Sequence, residues 1–170
     1  ILRNVFEPND SWFRTGDLLR RDRDGYYYFV DRVGDTFRWK GENVATSEVA
    51  EIINLLPAVH ESVVYGVAIP GYEGKAGMAA IVADEDIDLG EMRRHIHNHL
   101  PGYARPRFIR LRQALDVTST HKQRRIDLAV DGFDPIKIDD LLYFDHPDAN
   151  ALTPLDQLLH QKILTGEVRL

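Results

Sequence analysis

Ala76 to Ala83 reads Ala-Gly-Met-Ala-Ala-Ile-Val-Ala, eight apolar residues with hardly a long side chain among them. Such a run suits a central strand covered closely by helices. It therefore asks the flanking sequence for helices and further strands. Upstream, Val49, Ile52, Ile53 and Leu56 recur at helical spacing, and Pro57 closes the segment. Thr46 or Ser47 is expected to cap this helix, with Glu48 in the first turn where the helix dipole favours a carboxylate. His60 to Ile69 is β-rich and ends at Pro70-Gly71. Downstream, Asp88 with Glu91 three residues on forms a capping box. The helix it opens turns Leu89, Met92, Ile96 and Leu100 inward and stops at Pro101-Gly102. Pro106 to Leu111 is a further strand, and Thr36 to Lys40 is a short one turning at Gly41. Residues 36–111 thus read strand, helix, strand, strand, helix, strand, a compact α+β unit.

The flanks are less regular. Residues 1–11 read as the end of an element and a turn at Glu7-Pro8-Asn9-Asp10. Residues 12–31 read as a hairpin, with a polar turn from Asp22 to Gly25 between β-rich runs. Asp22 and Asp24 belong to that turn and not to a calcium loop, since the other ligands of such a loop are missing. Arg125 to Val130 is expected as a short helix, Pro135 to Pro147 as acidic irregular chain, and Pro154 to Thr165 as a helix with Leu155, Leu158, Leu159 and Ile163 as its apolar stripe.

Composition removes several classes of function. With 170 residues, 44% of them hydrophobic, the chain supports one or two small cores. A net charge of −6 argues against nucleic acid as a partner. There is no cysteine, so neither a disulfide, a thiol nucleophile nor a cysteine zinc site can form. No run of 18 apolar residues spans a membrane. The chain opens on Ile1 in mid-pattern, without the features of a signal peptide, and is expected to be a piece of a longer protein.

Four stretches are candidates for chemistry. Asp116 to Leu128 is hydroxyl-rich and basic, and it presents Lys122 between Thr118-Ser119-Thr120-His121 and Arg124-Arg125. A loop lysine of this kind suits a mobile point cation that meets negative charge. Trp12 to Asp17 ends in Thr-Gly-Asp, which sets a carboxylate beside a glycine turn; such a carboxylate can accept hydrogen bonds from vicinal hydroxyls such as those of ribose. His95, His97 and His99 are read as an exposed helix face, since only His95 and His99 share a side at i and i+4 and no third metal ligand is apparent. Gly71 to Lys75 lacks the spacing of a phosphate loop.

Taken together, ordered blocks of this chain resemble a known family. Arg14-Thr15-Gly16-Asp17, Asp31-Arg32-Val33-Gly34-Asp35, Lys40-Gly41-Glu42-Asn43-Val44 and Thr118-Ser119-Thr120-His121-Lys122 occur in the order found in the C-terminal part of the adenylate-forming (ANL) enzymes. Asp35–Val49, Val64–Ala80, Leu100–Leu111, Gly132–Pro135 and Leu152–Asp156 resemble the very-long-chain acyl-CoA synthetase and fatty acid transport protein branch. The resemblance implies an α+β fold: a small C-terminal domain with a central, mostly antiparallel sheet flanked by helices, preceded by a β-hairpin from the end of a large N-terminal domain. The implied divisions are 1–31 for that hairpin, 31–35 for a hinge, 36–130 for the mobile domain and 131–170 for an extension with a terminal helix.

The resemblance also implies roles. Lys122 would be the catalytic lysine of adenylation. Asp17 and Arg32 would bind ATP and AMP, Asp17 through the ribose hydroxyls. Asp31, Gly34 and Asp35 would form the hinge. Arg38, Trp39, Lys40 and Gly41 would line the CoA path. The lead-in to Lys122 departs from the family's Lys-Thr-Gly-Thr type, with Val117 and Ser119 in place of its lysine and glycine. ATP and CoA are the implied cofactors, with Mg2+ accompanying ATP and held by the N-terminal domain, and no metal held by this segment. Fatty acid, ATP, CoA and the chain's own N-terminal domain are the implied partners, with a cytoplasmic location and peripheral membrane association left open. The implied activity is ATP-dependent conversion of a long or very-long-chain fatty acid to acyl-AMP and then acyl-CoA, with this segment inactive by itself. A ligase that loads a carrier protein, and a non-enzymatic lipid-uptake or interaction module, stay open as alternatives.

Overall fold

A computed structural model describes residues 1–13, 17–32, 36–115 and 128–170. The chain divides into two compact units, residues 1–34 and 35–170.

The first unit holds two small antiparallel ribbons. β1 (Leu2–Arg3) pairs with β2 (Ser11–Trp12), and β3 (Asp17–Arg21) pairs with β4 (Tyr27–Arg32). Between β1 and β2, Asp10 ties the loop: its carboxylate accepts from the amides of Val5, Phe6 and Glu7 and from the Trp12 indole N–H, at 2.8–3.0 Å. Partial desolvation pushes this carboxyl up, but the four donors outweigh it and bring it down to about 2. In the β3–β4 turn, Asp22 accepts from the amides of Asp24 and Tyr26 and from the Tyr28 hydroxyl, so this aspartate is satisfied by its own turn, as expected.

The second unit is built on a five-stranded sheet in the order β11-β10-β9-β8-β7. β7 (Val59–Val67) and β8 (Ala76–Ala83) are antiparallel; β8 and β9 (Phe108–Arg112) are parallel; β10 (Leu141–His146) runs antiparallel to both β9 and β11 (Ala151–Pro154). The one parallel pair needs a crossover, and α2 (Leu89–His99) supplies it. α1 (Thr46–Asn54) packs on β7 and against α2. α3 (Gln157–Leu164) follows β11, and residues 128–131 are also helical. None of these helices is long and apolar enough to cross a membrane, among the described residues.

Ala76 to Ile81 are buried without exception, as a covered central strand requires. Ile53, Ile81, Ile109 and Ile163 are wholly buried, each worth roughly 1.5–3 kcal/mol relative to exposure. Phe108 ties three elements together: its ring stacks on Phe133 at 4.5 Å and lies 5.5 Å from Phe144, while Phe133 meets the buried His160 edge-on.

Three local expectations are corrected. Leu141–His146, inside the stretch expected to be irregular, is an inner strand of the sheet. Its acidic neighbours obscured it, yet Asp140 and Asp145 are ion-paired to other elements. α1 is capped by neither Thr46 nor Ser47: Ala45 holds the N-cap position and offers no side-chain acceptor, and Thr46 is the first helical residue, buried. On α3 the expected Ile163 is buried and Leu159 packs against the core, following the buried Leu155, but Leu158 is 65% exposed and His160 takes an inward position. Asp88, by contrast, caps α2 as expected, accepting from the amides of Gly90 and Glu91 at 2.7 and 3.0 Å. The part of the expected Arg125–Val130 helix before residue 128 lies outside the described residues.

Candidate functional site

β3 and β4 place two of the candidate residues together. Asp17 and Arg32 are Cα partners across the antiparallel ladder, and Asp31 faces Leu18. A register shift between Leu18 and Leu19 separates this end of the hairpin from the regular pairing of Leu19 with Phe29, so the Asp17–Arg32 pair stands beyond a bulge. Bulges re-aim the side chains near them and often adjoin functional sites. Asp17 is half-buried. Gly34 and Asp35, with Val33, lie outside the described residues, and so do Lys122, Val117 and Ser119.

The second candidate group sits on a tight hairpin of the other unit. β5 (Thr36–Trp39) and β6 (Glu42–Ala45) are joined by Lys40 and Gly41 alone, with φ of 51° and 87°. Positive φ at both residues is the geometry of a two-residue turn that matches strand twist. The strand alternates about this turn: Phe37 and Trp39 point inward, and Arg38 outward. Arg38 and Lys40 are therefore exposed, while Trp39 is 1% exposed and lies against Tyr72 at 5.6 Å. The four residues implied for the CoA path thus separate into an outer group of Arg38, Lys40 and Gly41 and an inner support, Trp39.

The sheet is shaped to seat this hairpin. Gly66 and Gly77 are cross-strand partners on β7 and β8, and Phe37 fills the notch they leave. A Cβ built on Gly66 would stand 2.7 Å from the Phe37 Cβ, inside any real contact, so a side chain there would push the hairpin off the sheet. The Gly71–Lys75 stretch, set aside as a phosphate loop, completes the seat. The Lys75 amide donates to the Arg38 carbonyl at 2.7 Å, and Trp39 pairs with Gly74.

Sequence reasoning missed the charged clusters. Asp145 on β10 is 2% exposed and accepts from Arg93 at 2.6 Å, His97 at 2.9 Å and Arg107 at 3.4 Å. Arg105 in turn contacts the His97 ring and donates to the His97 carbonyl. Burial lowers the Arg107 guanidinium, and Asp145 works against it. Arg110, 6% exposed, donates to Asp140 at 2.6 Å and Asp131 at 2.9 Å; burial would lower it, but these carboxylates outweigh burial and hold it above its ordinary value. Burial also pushes the Tyr65 hydroxyl up to about 12. The histidines are corrected here: His95 and His97 are half-buried and hydrogen-bonded, His95 to the Ile52 carbonyl at 2.7 Å. Arg93 and His97 share one side of α2, and that spacing was the available signal; nothing local announces an acceptor on β10. Among the described residues no group of three His, Cys, Asp or Glu could hold a metal ion.

The chain is similar to known proteins. Residues 48–122 match the family model described as the AMP-binding enzyme C-terminal domain. Long-chain fatty acid transport protein 3 of Homo sapiens is 47% identical over 172 residues, which is 100% of this chain and 25% of that protein. Very long-chain fatty acid transport protein of Cochliobolus heterostrophus is 40% identical over 175 residues, 99% of this chain and 27% of that protein. The chain spans about a quarter of the length of these curated relatives. Among solved structures, o-succinylbenzoate CoA synthetase from Bacillus subtilis, in complex with its acyl-adenylate intermediate, matches with a TM-score of 0.63 and 30% identity over 69% of this chain and 24% of that one.

Proposed function

We propose, for a chain that belongs to the C-terminal part of the adenylate-forming AMP-binding enzymes, in the branch of the fatty acid transport proteins, that the longer protein containing it is an AMP-forming fatty acid–CoA ligase. The observation that carries this reading is the β3–β4 ladder, which sets Asp17 opposite Arg32 just before the boundary between the two units. An aspartate and an arginine at paired positions of one ladder suit a nucleotide: a carboxylate for the ribose hydroxyls, a guanidinium for phosphate.

In the first step a fatty acid carboxylate oxygen attacks the α-phosphorus of ATP. Pyrophosphate leaves with the electron pair of the broken P–O bond, giving acyl-AMP. Charge grows on the phosphoryl oxygens in the transition state, and the Lys122 ammonium meets it. In the second step the CoA sulfur attacks the acyl carbonyl carbon, AMP departs, and the thiol proton passes to solvent. Arg38, Lys40 and Gly41, exposed on the β5–β6 hairpin, serve this step, and Trp39 supports them from within. The joint at residues 31–35 lets the second unit present Lys122 and the hairpin in turn. Gly34 suits a joint because glycine absorbs large φ/ψ changes at little cost.

Half-reactions of the full-length protein test this. Lys122→Ala should lower fatty-acid-dependent ATP–pyrophosphate exchange by about 10²–10³-fold, the scale of one preorganised donor. It should spare thioester formation from supplied acyl-AMP and CoA. Undiminished exchange removes Lys122 from the mechanism. Acyl-AMP formation by the wild-type protein without transfer to CoA points instead to another acceptor, such as a carrier protein.

A further inference from the structure

The tip of the β5–β6 hairpin is held by more than its own ladder. After α3 the chain reverses: the Thr165 amide donates to the Gln161 carbonyl, Gly166 at φ 77° donates to that of Ile163, and Val168 donates to that of Lys162. The reversal returns residues 168–170 to the core, where Val168 is partly buried and Leu170 is 9% exposed. The Leu170 main chain is used on both sides. Its amide donates to the Tyr72 hydroxyl oxygen at 3.1 Å, and its main-chain oxygen accepts from the Lys40 ammonium at 2.9 Å. The same ammonium sits 5.8 Å from the centre of the Trp39 ring, and Tyr72 packs on that indole from its own loop. Lys40, Trp39, Tyr72 and Leu170 therefore close a ring of contacts around the turn.

We infer that residues 168–170 form a strap that positions the hairpin, and that Leu170 is a positioning residue holding the Lys40 ammonium ready for a phosphate group of CoA. This rests on the reading of the hairpin as the CoA-facing element. A lysine has three N–H donors; the strap uses one and leaves two for an anion. A lysine on a turn ordinarily gives up much side-chain freedom when it captures an anion, and one already held gives up less.

The test uses the full-length protein with Leu170→Gly, which removes the apolar anchor, and Tyr72→Phe, which deletes one oxygen and keeps the ring. For Leu170→Gly, amide exchange across residues 38–43 should accelerate about tenfold or more, while β8 and β9 stay protected. The KM for CoA should rise about 3- to 10-fold, the loss of roughly one hydrogen bond, with kcat and pyrophosphate exchange unchanged. Tyr72→Phe should move both quantities the same way by less. Unchanged exchange in the hairpin overturns the strap. Faster exchange with an unchanged KM overturns its role toward CoA. If Leu170→Gly loosens the whole sheet, Tyr72→Phe decides: an unmoved hairpin and KM in that variant overturn the inference. If the wild-type protein forms no CoA thioester, the ligase reading fails, and amide exchange still decides whether the strap exists.

Discussion

Single residues in this protein carry weight in proportion to how many separate elements they join. Asp145 is the clearest case, a carboxylate 2% exposed that takes hydrogen bonds from α2 and from the chain entering β9. Removing it leaves Arg93 and Arg107, whose side chains are 13% and 14% exposed, facing each other without their shared anion. Asp145→Ala should therefore cost about 3 kcal/mol, the lower end for breaking a buried pair, since both arginines keep some contact with water. Asp145→Asn, which keeps an acceptor oxygen, should cost less. Urea unfolding of the two variants checks the order. Equal stability of Asp145→Ala and the native chain would show the cluster to be energetically idle. Trp39 shows the converse. The resemblance implies a place for it on the CoA path, and the strand alternation turns its ring into the core, beneath the Lys40 ammonium.

At the scale of elements, two helix starts that look alike in sequence behave differently. Asp88 and Thr46 both stand where a cap is expected, yet only Asp88 sits one residue before its helix with acceptors on the free amides. Asp88→Ala should destabilise by about 1 kcal/mol. Thr46 is already inside α1 with its hydroxyl buried and, among the described residues, without a hydrogen-bond partner, so Thr46→Val replaces an unsatisfied group by an apolar one of similar shape. That change should be neutral or slightly stabilising. Thermal unfolding of the two variants should move in unequal measure, and a loss for Thr46→Val as large as that for Asp88→Ala would restore Thr46 as a cap. The hairpin β5–β6 owes its seat to another element altogether: Phe37 needs the notch at Gly66 and Gly77, and the Arg38 carbonyl needs the Lys75 amide.

At the scale of the whole molecule, the core among the described residues is one apolar cluster from Phe37 to Leu170, within residues 35–170. A chain starting at residue 35 should therefore fold and lose its structure in a single transition, seen together by far-ultraviolet circular dichroism and by fluorescence of Trp39, its sole tryptophan. Separate transitions for the two probes would divide this unit. Legible in the order of residues were the strands and helices of 36–111 apart from β6, the covered inner place of Ala76–Ala83, the turns at Asp22 and Gly41, and the order of blocks that resembles the adenylate-forming enzymes. Those signals are local, because residue spacing, capping and turn chemistry act over a few positions. Tertiary structure alone decided the remainder. It made a strand of Leu141–His146 within the acidic stretch, paired Asp145 with arginines on other elements and drew Leu170 to Lys40. Each of these contacts joins residues far apart in the chain, and no local pattern can hold the identity of a partner that only folding brings near.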